Sequence, residues 1–186
     1  MSLIPAFEIG VWNAWILMLC HLLLYVPLML FAKEQTKQME STHGGNERWL
    51  YPVITIFWVI AIIYSIFVPL RLGTAWFYVG LPVFILGFIG QAAVCVSVCA
   101  TRVGEEPLIN GIYRLSRHPY YVTQLVMYIG IGVASASWLL LLFAVVYSYL
   151  HFIMADSEER CCLEKYGDAY REYINITSRW IGLPKS

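Results

Sequence analysis

Long uncharged apolar runs separated by short polar stretches dominate this chain, and their lengths predict helices that cross a membrane. A hydrocarbon core about 30 Å thick needs roughly 20 apolar residues of helix. Residues 11–32, 50–70 and 74–100 each reach that length without a charge. The last apolar run, residues 120–155, is too long for one helix and carries a small-residue break over residues 130–137. It is expected to form two short spans, 120–136 and 138–155, joined by a tight turn. The predicted fold class is therefore all-α: a polytopic integral membrane protein with five transmembrane helices and a cytoplasmic C-terminal helical tail, in one domain over residues 1–186.

Composition agrees with this pattern. Hydrophobic residues make up 60% of the 186, charged residues 13%, and the mean hydropathy is +0.66, as expected of a chain whose solvent is largely lipid. The N-terminus lacks a basic n-region and a small-residue cleavage site, so the first run is read as a retained span. With the N-terminus outside, one side holds eleven of the twelve Lys and Arg residues, all but Arg71. Positive residues favour the cytoplasmic face, which makes the C-terminus cytoplasmic. Eleven of the twelve acids fall on the same side, so the cap is balanced in charge and no nucleic-acid surface is expected. The five cysteines, Cys20, Cys95, Cys99, Cys161 and Cys162, lie in spans or on the cytoplasmic side, and no disulfide framework follows. Cys95 and Cys99 are one helical turn apart, but the four histidines are scattered and ligand spacing typical of zinc is missing, so no metal site is expected.

The polar segments on the cytoplasmic side carry the candidate chemistry. The first, from Lys33 to the Gly44-Gly45 turn and Arg48, reads as a solvated hairpin linker. In the third span Gly73, Gly80 and Gly87 recur every seven residues, and Gly87, Gly90 and Gln91 cluster near the inner half. Small residues on one stripe let another helix approach closely; they also leave room for a cofactor, and both readings stand. Gln91 is an amide that should face protein or a cavity. Pro27, Pro69 and Pro82 mark kinks or helix ends.

Leu108 to Tyr121 concentrates polar side chains directly before a span. Pro107 and Asn110-Gly111 read as loop and turn, and Pro119 suits a first helical turn, where its missing N–H would be unpaired anyway. His118 is then expected at or near the N-cap, extended, with its side chain off the helix end. A helix N-terminus flanked by Arg114 and Arg117 suits a carboxylate or phosphate; positive-inside anchoring with an interfacial belt of Tyr120 and Tyr121 is the plainer account. After the fifth span, Glu158 and Glu159 continue the helix, and antiparallel packing brings them close to His118. Beside basic groups a carboxylate pair can hold an ammonium or a ribose hydroxyl, or be ordinary surface charge. Gly167 is expected to end this helix before Asp168 caps a short amphipathic segment. Leu163, Tyr166, Tyr170 and Tyr173 share a face that covers a pocket or lies on the membrane surface.

Gly111-Ile-Tyr113, Arg117-His118-Pro119-Tyr120-Tyr121, Glu158-Glu159 and Lys165-Tyr-Gly-Asp-Ala-Tyr170, ending in Arg179 and Pro184, resemble the isoprenylcysteine carboxyl methyltransferase and phospholipid methyltransferase group over residues 80–184. The resemblance implies S-adenosylmethionine as cofactor, held at the cytoplasmic side by a cap made of residues 101–119 and 156–186, and a lipophilic or lipid-linked acceptor: a prenylcysteine carboxylate or a lipid head group. It puts His118, Tyr120, Tyr121 and Tyr113 on the cofactor-binding motif, and Glu158 and Glu159 on its acidic counterpart. Gly87-Phe-Ile-Gly90, followed by Gln91, is similar to a glycine-containing stretch of the phospholipid branch. Arg117 or Arg179 would orient an acceptor carboxylate, and His118 would serve as base for an amine or thiol. Two other classes stay open. One is an NADPH-dependent membrane reductase of the steroid-reductase type. The other is a transporter or assembly module, although no span carries a central Asp, Glu, Lys or Arg.

Overall fold

The computed structural model describes residues 7–42, 49–100 and 107–182, with side chains except at 29 and 31–42. Among them are six α-helices and no strands: α1 (Trp15–Thr42), α2 (Leu50–Ser65), α3 (Ala75–Ala100), α4 (Pro119–Ala134), α5 (Trp138–Tyr166) and α6 (Asp168–Ile176), with a 3-10 turn at Gly111–Arg114 ahead of α4. Two of the helices, α3 and α5, are long and apolar enough to cross a membrane. Shorter apolar helices occupy Trp15–Leu28 and Leu50–Ser65. Large side chains such as Leu86 (67% exposed), Val96 (68%) and Val145 (64%) project outward from α3 and α5. Apolar faces of this extent are unfavourable in water and match a hydrocarbon solvent.

Several boundaries differ from expectation for local reasons. Helix α1 continues to Thr42, through the start of the expected linker; the Gly44-Gly45 turn and Arg48 lie outside the described residues, as do Arg102 and Pro184. Helix α2 stops at Ser65 rather than near residue 70. There the chain turns, pairing Pro69 with Asn13, whose side-chain amide donates to the carbonyls of Glu8 (2.6 Å) and Ile66 (2.7 Å). Gly73 lies before α3, not within it. Between α4 and α5 the break is narrower than the small-residue stretch suggested: Ser135, Ala136 and Ser137 make the turn, and Ser137 accepts the backbone N–H of Leu140 as the N-cap of α5. Gly130 and Gly132 are helical.

Those glycines explain the closest crossing of the bundle. A Cβ on Gly130 would lie 2.6 Å from the Cα of Phe84, and one on Gly87 2.7 Å from the backbone nitrogen of Met127. Gly80 abuts the backbone of Ala134. Backbone cannot yield as a flexible side chain can, so α3 and α4 approach this closely only where side chains are missing. Next to this seam, buried polar groups pair within the bundle: Trp58 Nε1 donates to the Tyr128 hydroxyl (3.0 Å), which lies 3.2 Å from His21 Nε2.

Candidate functional site

The loop before α4 and the far end of α5 meet at one end of the bundle. Pro119 opens α4, and His118 is its N-cap with φ −125° and no cap bond from its own side chain, which leaves the imidazole directed elsewhere. The backbone N–H of His118 is held instead by Ser116 Oγ at 3.0 Å. Helix α5 runs unbroken past its apolar part, so Glu158 and Glu159 are presented on a rigid rod. Gly167 then ends α5 at φ +54°, a conformation that favours glycine.

His118 bridges both carboxylates. Its Nε2 lies 3.0 Å from Glu159 Oε1 and its Nδ1 3.5 Å from Glu158 Oε2. Tyr121 stacks on the imidazole, with ring planes 3° apart, and donates its hydroxyl to Glu158 at 2.5 Å. Glu159 also faces two guanidinium groups, with Arg117 Nε and Arg179 Nε each at 3.4 Å. Arg179 reaches Asp156 as well. Burial opposes the imidazolium of His118, but the hydrogen bonds and charges of Glu158 and Glu159 outweigh it and raise the His118 pKa above its ordinary value. Burial likewise opposes the two carboxylates. Hydrogen bonds and positive charge from His118, with Tyr121 at Glu158 and Arg117 and Arg179 at Glu159, outweigh it and lower both. A carboxylate near each ring nitrogen favours the protonated form, which has no free lone pair to take up a proton, and this counts against His118 as a base.

These shifts give stability a pH dependence of known sign. A raised His118 pKa stabilises the fold fully below the unfolded value of about 6.5, and that contribution is lost as pH rises through the raised folded value. The lowered glutamates contribute above their unfolded value of about 4.3 and lose it as pH falls through the lowered folded values. Melting in detergent is expected to be most favourable between these limits and to decline towards alkaline pH. In His118→Gln the alkaline decline should be much shallower; an identical slope in both proteins would rule out the imidazolium.

A cavity of about 280 Å³ opens beside this cluster. Arg117, His118, Tyr113, Tyr120, Tyr121 and Glu158 line it. Besides Glu158, α5 contributes Tyr147, His151, Met154, Cys162 and Tyr166 at helical spacing, and α6 contributes Tyr170 and Tyr173. The face of Tyr166, Tyr170 and Tyr173 thus covers a pocket. Tyr173 anchors it by donating its hydroxyl to the Tyr113 carbonyl at 2.7 Å. The Tyr120 hydroxyl accepts from Gln124 at 2.8 Å.

Glu159 and Arg179 stand behind the cavity, paired with each other. Gly87, Gly90 and Gln91 are also outside its lining. Met127 and Thr123 of α4 take the space beside the two glycines, and Gln91 accepts the Thr123 hydroxyl at 2.7 Å. Sequence reasoning missed Tyr25, Tyr51, Tyr147 and His151, which line the cavity. Tyr147 and His151 had a readable signal, since positions 147, 151, 154 and 158 share the helical face that carries Glu158. Tyr25 and Tyr51 sit in apolar helices where nothing distinguishes them.

No curated protein matches the chain. A family model described as phospholipid methyltransferase matches residues 77–169, a segment that contains α4, nearly all of α3, the whole of α5 and every group of the His118, Glu158 and Glu159 cluster except Arg179. That match spans half of the chain, and the chain therefore belongs to the phospholipid methyltransferase family, as a membrane methyltransferase.

Proposed function

We propose that this protein transfers a methyl group from S-adenosylmethionine to a lipophilic acceptor, a lipid head group or a prenylcysteine-like molecule, at the cytoplasmic face of a five-span bundle. The N-terminus would be outside and the C-terminal cap inside, an orientation supported by the distribution of Lys and Arg. The observation that carries the reading is the joining of His118 to Glu158 and Glu159 at the mouth of an aromatic cavity.

The donor set suits this cofactor. Glu158 offers a carboxylate to an ammonium or ribose hydroxyl. Arg117 Nη1 is buried without a hydrogen-bond partner among the described residues, and a carboxylate would satisfy it. The tyrosine faces of the lining can stabilise a cationic sulfonium. When bound, S-adenosylmethionine supplies a methyl carbon already activated for transfer. The residues then have to hold and align the reactants and exclude water, and such positioning can contribute roughly 7–11 kcal/mol. His118 keeps Glu158 and Glu159 ionised and fixed, and Tyr121 holds Glu158 from the other side. The apolar part of the lining, Leu28, Ile54, Val94 and Val98, suits a hydrocarbon chain. Arg117 is better situated than Arg179 to meet an acceptor carboxylate.

The test is in two parts. S-Adenosylhomocysteine is expected to raise the melting temperature of detergent-solubilised protein. Radiolabelled methyl transfer is then followed into total membrane lipid and into a prenylcysteine analogue in parallel. Stabilisation by NADPH with none by S-adenosylhomocysteine would reject the reading.

A further inference from the structure

His151 lies in the middle of α5, seven residues before Glu158 and so about 10 Å deeper along the helix. It is 5% exposed yet lines the cavity. Its Nδ1 lies 2.9 Å from the carbonyl oxygen of Tyr147. A carbonyl can only accept, so Nδ1 carries the proton, and in the neutral ring the lone pair sits on Nε2. Tyr147 and Tyr121 pack on the ring at centroid distances of 4.2 and 4.4 Å and fix its plane. Among the described residues Nε2 has no hydrogen-bond partner, and it is not sealed in the protein interior. In its neutral form this imidazole has a fixed tautomer, with its acceptor nitrogen uncommitted in the wall of the cavity.

Neither of the other described histidines has this arrangement. His118 holds a carboxylate at each nitrogen. His21 is fully buried outside the cavity lining, with Nε2 directed to Tyr128 and Gln124. An imidazole inside an apolar bundle is costly to retain, and His151, unlike His21, presents in a cavity wall a nitrogen unpaired among the described residues.

We propose that His151 is the catalytic base of the transfer, taking the proton from an acceptor that reacts through N–H or S–H. This deepens the methyltransferase reading and rests on it. As the acceptor's lone pair bonds to the methyl carbon, the C–S bonding pair leaves with sulfur as a neutral thioether. The acceptor's proton passes to His151 Nε2, giving an imidazolium that returns it to solvent through the cavity. Fixing Nδ1–H on the Tyr147 carbonyl keeps Nε2 aimed at the acceptor through this exchange. An acceptor reacting as a carboxylate has no proton to give and no use for this group.

Two measurements test the proposal. The first uses ¹⁵N-histidine NMR on the wild-type protein without donor, with His151 assigned by the signal missing from His151→Asn or, should that variant not fold, from His151→Gln. The expected state near neutral pH is the Nδ1–H tautomer, with His118 doubly protonated; an Nε2–H or doubly protonated His151 would overturn the proposal. The second measures His151→Asn, whose amide can still donate to the Tyr147 carbonyl. Affinity for S-adenosylhomocysteine is expected to be unchanged, while kcat towards a lipid amine or a lipophilic thiol falls about 100-fold or more. Whichever of the two acceptors the wild type methylates identifies the source of the proton. Unchanged turnover in the variant, or wild-type transfer to a prenylcysteine carboxylate alone, would overturn His151 as base while leaving methyl transfer intact. A wild-type protein that neither binds S-adenosylhomocysteine nor methylates any acceptor would instead overturn the reading on which the proposal stands.

Discussion

Glu158→Gln is expected to weaken S-adenosylhomocysteine binding by roughly 10- to 150-fold with a modest loss of melting temperature, whereas Glu159→Gln should cost mainly melting temperature. The two neighbours differ in what surrounds them. Glu158 lines the cavity, and its nearest partners are the Tyr121 hydroxyl and one imidazole nitrogen. Glutamine has the same shape and keeps an acceptor oxygen for Tyr121. It removes the charge offered to a ligand, together with the longer, 3.5 Å ion pair to His118, and a hydrogen bond to a charged group contributes about 1.5–3 kcal/mol, which gives the stated range for binding. Glu159 is instead the shared counterion of His118, Arg117 and Arg179. Without it three cationic groups crowd a half-buried site, and breaking such a cluster by removing one partner costs about 3 kcal/mol or more. Isothermal titration and thermal melting of the two variants side by side decide the matter. If Glu159→Gln lost the ligand and Glu158→Gln lost the fold, the assignment of inner and outer carboxylate would be reversed.

The sequence signals of this site were legible to different depths. Apolar run length indicated helices, three long and two short, because lipid-facing segments have few ways to be built; of those described, α3 and α5 are long and apolar enough to cross a membrane. Pro119 and Gly167 marked helix ends because each has a backbone property no other residue shares. The pairing of His118 with the two glutamates was legible in the sequence, since two short spans joined by a tight turn must run antiparallel. Which carboxylate faces inward could not be read. Adjacent helix positions differ by about 100° in direction, and that rotation is set by the packing of α5 against α2 and α4. The glycines of α3 were readable as small and not as to purpose: a missing side chain serves a helix or a ligand equally until its neighbours Met127, Thr123 and Ala134 are known. His151 shares the helical face of Glu158, which placed it towards the cavity and no more; its meaning comes from the Tyr147 carbonyl and from Tyr121 on another helix.

Truncation after Ile176 is expected to abolish S-adenosylhomocysteine binding, by about 100-fold or more, while leaving helix content by circular dichroism essentially unchanged. The segment after α6 turns back along the loop that leads into α4. Arg117 donates its backbone N–H to the Ser178 carbonyl at 3.0 Å, Gly182 donates to Leu115 at 3.0 Å, and Ser116 Oγ donates to the Arg179 carbonyl at 3.2 Å. Trp180 stacks on Phe152 of α5 and lies 5.6 Å from the His118 ring, so one side chain ties the strap to both halves of the cluster. Each hydrogen bond contributes about 0.5–1.5 kcal/mol, and together three are comparable with the roughly 2.7 kcal/mol of a 100-fold change in affinity. None lies within a helix, which is why helicity should persist. The loss falls on the register of Arg117 and His118 against Glu158, and groups that must hold a ligand tolerate little misplacement. Trp180→Ala removes only the aromatic tie and should weaken binding by a smaller factor. If the truncated protein bound as tightly as the intact chain, the loop would have to be held by α6 alone, through the Tyr173 hydroxyl at the carbonyls of Tyr113 and Ser116. In that case Tyr173→Phe, rather than the truncation, would release it.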